Sequence, residues 1–218
     1  MQSHELVLSA FWVVAVAHVA ACAVDSPKVA FATKPALMPL LLAYYALVAA
    51  SFSRLVAAAL VAGFLGDVFL LWKDDQTKFL AGLASFLLGH VAYASAFLAA
   101  TDWGNVPPWA WLLAPALAAF GFLVVRQLGD LGPFKAPVVV YVAVILFASL
   151  AEGLMGASRS AAAFAACFGG AVLFVSSDAT IAFDKFKAPV PRARVWIMST
   201  YVAAQFLLVW GYLLVPSL

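Results

Sequence analysis

The sequence predicts an all-α integral membrane protein, a single bundle of eight transmembrane helices with both termini on the non-cytoplasmic side. Three observations predict it. Of 218 residues, 67% are hydrophobic and only 10% charged, with a mean hydropathy of +1.06. A soluble domain is nearer one-quarter charged, and so few polar residues cannot cover a water-facing surface. The apolar residues fall into eight runs of about the 20 residues that a hydrocarbon core requires. The basic residues are confined almost entirely to alternate connections between those runs.

The first run, 6–24, follows His4 and Glu5. Its "VAHVAACAV" offers the small residues of a secretory cleavage site, but no Lys or Arg precedes it, so it reads as a span. "DSPK" leads to the second, 33–50, which opens at Lys34 and Pro35. The short "SFSR" leads to the third, 54–72, and "GFLGDVFLLW" puts Asp67 inside it. After "KDDQTK" the fourth, 79–100, carries Gly82, Ser85, Gly89, His90 and Tyr93 as a small and polar stripe at helical spacing. Small residues let helices approach closely in lipid. "TDWGNVPP" and "RQLGDLGPFK" bound the fifth, 109–125. The sixth, 136–152, closes on Glu152, which reads as a snorkelling end residue. The seventh, 160–183, contains "LFVSSDATIAF" with Asp178, and "DKFKAPVPRAR" leads to the eighth, 194–215, where Tyr201 and Gln205 lie one turn apart. No connection is long enough to be a domain, so 1–218 reads as one transmembrane helical domain. Cys22 and Cys167 both fall in apolar runs and read as small buried hydrophobes, not as a disulfide or a metal site.

Odd-numbered connections hold Lys28, Lys34, Lys73, Lys78, Arg126, Lys135, Lys185, Lys187, Arg192 and Arg194, and even-numbered ones only Arg54 and Arg159. Basic loops stay cytoplasmic, so the odd connections face the cytoplasm. The third and seventh spans then both run toward it. Asp67 and Asp178 each lie five residues before the end of their run, about 7–8 Å in at 1.5 Å per residue. An Asp at a helix centre costs on the order of 2.5–3.5 kcal/mol, less toward the interface. Two carboxylates at one depth are the strongest candidates for function. His90 and Tyr93, Tyr201 and Gln205 have a plainer reading as hydrogen-bonded packing residues. Asp74, Asp75, Asp184 and Lys185 read as solvated helix ends, and Lys34 as an anchor to phosphate headgroups. Asp67 to His90 and Asp178 to Tyr201 are both 23 residues apart, a faint sign of duplicated hairpins.

The pieces "TKPALMPLLL", "GDVFLLW", "FLAGLASFLLGHVAYASAF", "YVAVILFASL", "VLFVSSDATIAFDKF" and "TYVAAQFLLVWG", in that order, resemble the YhhN family of membrane proteins, whose characterised members are lysoplasmalogenases. The ordered set of Gly-Asp, Gly-His-x-x-Tyr, Ser-Asp and Tyr-x-x-x-Gln carries the resemblance. The sixth-span piece departs most from the pattern, with Tyr141 its obvious anchor. The resemblance implies an eight-helix bundle that cleaves the vinyl ether of a lysoplasmalogen. The products are a fatty aldehyde and glycerophosphoethanolamine or glycerophosphocholine. The expected partners are lysophospholipid and membrane lipids, with no nucleic acid and no cofactor. The expected location is a bacterial inner membrane, with the site toward the cytoplasmic leaflet on the placement of Lys and Arg.

Vinyl ether hydrolysis needs an acid to protonate the β-carbon, an anion beside the oxocarbenium ion, and a base for water. Glycosidases meet the same demands with two carboxyl groups. On this reading Asp67 and Asp178 share these roles in an order the residues leave open, and His90 orients a carboxylate or the water. Tyr93, Tyr201 and Gln205 bond the substrate, and Lys34 holds the lipid phosphate. Phe64, Phe69, Phe86 and Phe174 read as ordinary packing. Three other classes stay open. Intramembrane aspartates serve proton-coupled transporters. Asp67, His90 and Asp178 are acceptable metal ligands for a metal-dependent hydrolase. A structural bundle needs none of this chemistry.

Overall fold

The computed structural model describes residues 2–72 and 75–215. Lys73 and Asp74, expected in the turn after the third span, lie outside them. Among the described residues there are eight α-helices and no strand: α1 Ser3–Ala23, α2 Pro27–Val48, α3 Arg54–Phe69, α4 Gln76–Ala100, α5 Leu113–Leu128, α6 Lys135–Arg159, α7 Ala161–Phe186 and α8 Ala193–Leu213. Seven helical segments are long and apolar enough to cross a membrane, α5 counting with the 3-10 turn before it. The one left out is α3. Its 16 residues reach about 24 Å at 1.5 Å per residue, short of a hydrocarbon core of about 30 Å.

Several boundaries differ from the hydropathy reading, each for a local reason. α2 begins at Pro27, not near Lys34. Proline suits the first helical position because its missing N–H is an orphan there anyway. The helix then passes through Pro35 and Pro39, each removing one backbone hydrogen bond. α3 stops at Phe69, with Leu70 and Leu71 in a turn, although both are apolar. α7 runs on through Asp184 and Lys185 to Phe186.

The largest correction is α6, which does not close at Glu152 but continues to Arg159. Gly153, Gly156, Ser158 and Arg159 look like a loop in sequence, yet the last three each have a task within the helix. A Cβ on Gly156 would come to 2.7 Å from Phe164 Cα, so the glycine lets α6 and α7 touch. Ser158 Oγ accepts from the Asp102 backbone N–H at 3.1 Å. The Arg159 guanidinium donates to the Ala100 carbonyl, at 2.6 Å from Nη2 and 3.2 Å from Nε. That carbonyl closes α4, where the last four oxygens have no partner within the helix. Between α6 and α7 stands Ser160 alone. Its Oγ caps α7 by accepting from Ala163 N–H at 3.0 Å.

The helices gather into two compact units, one of the residues up to Tyr93 and one of Ala94–Val215. In the first, α1 meets α2 where His18 Nδ1 lies 2.8 Å from Thr33 Oγ1, with Cys22 Sγ 3.7 Å from the other ring nitrogen. α3 meets α4 through small residues. A Cβ on Gly89 would touch the Ala59 carbonyl at 3.4 Å, and one on Gly66 would strike the Phe86 ring. Ser53 caps α3, accepting from Val56 N–H at 3.4 Å. In the second unit α7 and α8 pack just as closely. Gly170 faces the Ala204 carbonyl, and Gly211 faces Cys167 Sγ. Both cysteines are buried, as expected.

Candidate active site

Each unit contains one of the two aspartates singled out by sequence. In the first, Asp67 is 1% exposed and lies two residues before the end of α3. Its Oδ1 is 3.4 Å from Lys34 Nζ on α2, and that lysine side chain is itself only 12% exposed. The start of α2 at Pro27 explains the pairing. Lys34 is not at the helix entrance but two turns inside it, on a stretch facing α3. His90 and Tyr93, one turn apart on α4, are both buried in the same unit.

In the second unit Asp178 is half-buried on α7, eight residues before the helix end. Its Oδ2 accepts a hydrogen bond of 2.6 Å from the Tyr141 hydroxyl of α6. That is the short range of charge-assisted O–H···O bonds. Tyr201 and Gln205 are buried on α8. The edge of one ring meets the face of the other between Phe174 and Tyr201, with centroids 5.5 Å apart. One turn nearer Asp178, Ser177 Oγ donates to the Ile197 carbonyl at 3.1 Å, tying α7 to the start of α8.

The equal offset of the two aspartates from their helix ends does not hold. The distances are two and eight residues, because apolar Leu70–Trp72 lie beyond α3 while charged Asp184 and Lys185 lie within α7. The pairings are what sequence reading missed. Lys34 and Tyr141 were both visible as residues, but nothing in their spacing named their partners. Asp184, expected at a helix end, stays polar there, accepting from Val190 N–H at 2.8 Å.

Glu152 is the third buried acid, and it is not a snorkelling end residue. With α6 continuing for two more turns, it is 2% exposed, and its Oε1 has no hydrogen-bond partner among the described residues. It lies within electrostatic reach of Cys167 on α7. Among the described residues no group of three or more His, Cys, Asp or Glu is placed to hold a metal ion.

Chemically, the first unit supplies a carboxylate in an ion pair, and the second a carboxyl group aimed by a phenol. Groups of this kind move protons and stabilise cations, tasks that lipid-facing apolar helices cannot perform.

Comparison with known proteins fits this picture. The model of the YhhN family matches residues 29–212. Lysoplasmalogenase TMEM86A of Bos taurus is 40% identical over 166 residues, 70% of this chain and 62% of that protein. Lysoplasmalogenase TMEM86A of Homo sapiens is 39% identical over 158 residues, with the same coverage. Lysoplasmalogenase TMEM86B of Homo sapiens is 35% identical over 158 residues, 72% of this chain and 62% of that protein. The chain thus spans less than two-thirds of the length of these relatives. No solved structure matches it.

Proposed function

The chain belongs to the YhhN family, and from that premise we propose that it is a membrane hydrolase that cleaves the vinyl ether bond of lysoplasmalogens. What supports the reading above all is relatives at 35–40% identity that are named lysoplasmalogenases. Helices fit to cross a membrane suit a single-chain lipid as substrate.

The reaction begins with proton transfer from a carboxylic acid to the β-carbon of the vinyl ether. This produces an oxocarbenium ion, which a carboxylate stabilises. Water adds to the cation and gives up a proton to the conjugate base. The hemiacetal then collapses, releasing a fatty aldehyde and glycerophosphoethanolamine or glycerophosphocholine. General acid–base steps of this kind contribute about 10²–10⁴-fold to rate. Asp67 and Asp178 are the proposed carriers, with His90 orienting a carboxylate or the water, and Tyr93, Tyr201 and Gln205 bonding the lipid. The basic residues, ten on odd connections and two on even ones, favour odd connections in the cytoplasm and both termini outside. The protein then sits in a bacterial inner membrane with its aspartates serving the cytoplasmic leaflet.

The test is aldehyde release by purified protein in detergent, from 1-alkenyl lysophosphatidylethanolamine, with and without chelator. Release by wild type that is lost in both D67N and D178N and indifferent to chelator supports the reading. Release abolished by chelator and restored by metal points to a metal-dependent hydrolase instead. No release from well-folded wild type, together with proton-driven flux in liposomes, points to a transporter.

A further inference from the structure

The two proposed acids are each met by a side chain from the preceding helix. α2 presents Lys34 to Asp67 of α3, and α6 presents Tyr141 to Asp178 of α7. We propose that Lys34 and Tyr141 are positioning residues, which act on the reaction through Asp67 and Asp178 without touching the lipid. The assignment rests on the proposed hydrolysis and replaces the expected role of Lys34 as a phosphate clamp.

The geometry separates the two roles. A lysine that grips a headgroup phosphate stands at the helix end and extends its ammonium into water. Lys34 instead lies two turns inside α2 with 12% of its side chain exposed, and its ammonium is 3.4 Å from Asp67 Oδ1. Where one partner of such a buried pair is removed, the other keeps an uncompensated charge, so Asp67 is held in place by Lys34. Tyr141 offers a single O–H donor, and at 2.6 Å that proton is directed at Asp178 Oδ2. A carboxyl group has a broad terminal torsion, and a short bond to one oxygen fixes which way the other points. Each helper fixes a carboxyl group whose direction decides whether it reaches the reacting vinyl ether.

A positioning residue and a substrate ligand differ in kinetics. Loss of a ligand that binds substrate and transition state alike raises KM and leaves kcat, whereas loss of an interaction felt only in the transition state lowers kcat. The experiment measures kcat and KM for aldehyde release in wild type, K34M, K34R and Y141F, and again for K34M in D67N and Y141F in D178N. Misplacing a reacting group by about 1 Å costs about 10²-fold. K34M and Y141F are therefore expected to lose kcat by up to about that factor with KM unchanged. K34R, which keeps the charge but moves it, should recover part of the loss. Neither substitution should slow an enzyme already lacking its own aspartate, because residues that act as one unit are not additive. K34R and Y141F keep the test sharp should K34M fail to fold. A raised KM at wild-type kcat in K34M would return Lys34 to the phosphate. A full additional loss from Y141F in the D178N background would detach Tyr141 from Asp178. Absence of aldehyde from folded wild type overturns the hydrolase reading and this assignment with it.

Discussion

In the first unit an aspartate near the end of α3 meets an ammonium from α2; in the second an aspartate well inside α7 meets a phenol from α6. Both helices start on a serine cap, Ser53 and Ser160. Beyond that they diverge. α3 has 16 residues and ends two after its acid, whereas α7 has 26 and continues for eight more. The difference teaches how a polar group survives among apolar helices by two routes. An ammonium neutralises a carboxylate, which suits a fully buried acid. A phenol contributes direction but no charge, which suits an acid that keeps part of its surface open. The same arrangement, acid on one helix and partner on the one before, thus accommodates two kinds of chemistry.

Removing the acids tests the comparison most severely. D67N and D178N are each expected to lower the rate of aldehyde release by about 10²–10⁴-fold. D67N is also expected to unfold at a lower temperature, because Lys34 keeps a buried charge without its counterion. Retention of wild-type rate by one of them would mean that its aspartate does not carry the reaction.

The next largest effect concerns packing. In the second unit a Cβ on Gly156 would meet the Phe164 backbone, which cannot move aside. In the first, a Cβ on Gly66 would meet the Phe86 ring, which can turn away. G156A should therefore cost about 1–3 kcal/mol and G66A less, read as thermal unfolding in detergent. Equal losses would show that Phe86 is locked in place.

Glu152 sharpens the contrast from the other side, as a buried acid with one oxygen that has no hydrogen-bond partner among the described residues. An unsatisfied buried polar group costs about 1–3 kcal/mol, and an apolar group of similar shape avoids it. E152L is expected to unfold at the wild-type temperature or above it and to retain aldehyde release. A sharp fall in stability would reveal that the carboxyl group holds the layer together. The smallest effect belongs to the caps. S160A should lose about 1 kcal/mol, and S53A less, since its bond is 3.4 Å against 3.0 Å. Unfolding midpoints of the two variants measure that order.

Eight helices were legible because a bilayer imposes a length and a polarity on whatever crosses it; seven helical segments meet both, and α3, at 16 residues, shows the polarity without the length. Asp67 and Asp178 stood out because an acid is rare in such runs. Helix ends were less legible, since hydropathy records which residues tolerate lipid and not where hydrogen bonding stops. It carried α3 on to Trp72, and it closed α6 at Glu152 because "GLMGASR" reads as a loop when its contacts with α7 and with Ala100 are unknown. Partners were the least legible of all. Lys34 had two plausible destinations, water or a buried acid, and only the early start of α2 at Pro27 decides between them. Tyr141 stood out solely as an anchor, because a tyrosine in an apolar run announces a hydrogen bond without saying to what.

The single-residue turn at Ser160 gives α6 and α7 the action of a caliper. Tyr141 lies 19 residues before it and Asp178 lies 18 after it, so the jaws close at nearly equal arm lengths. With 3.6 residues to a turn, one inserted residue on either arm swings its jaw by about 100°. Tyr141 and Asp178 would then face different directions with every side chain intact. In this hairpin an exchange of apolar residues leaves the Tyr141–Asp178 bond in register, whereas an insertion or deletion between positions 141 and 178 breaks it.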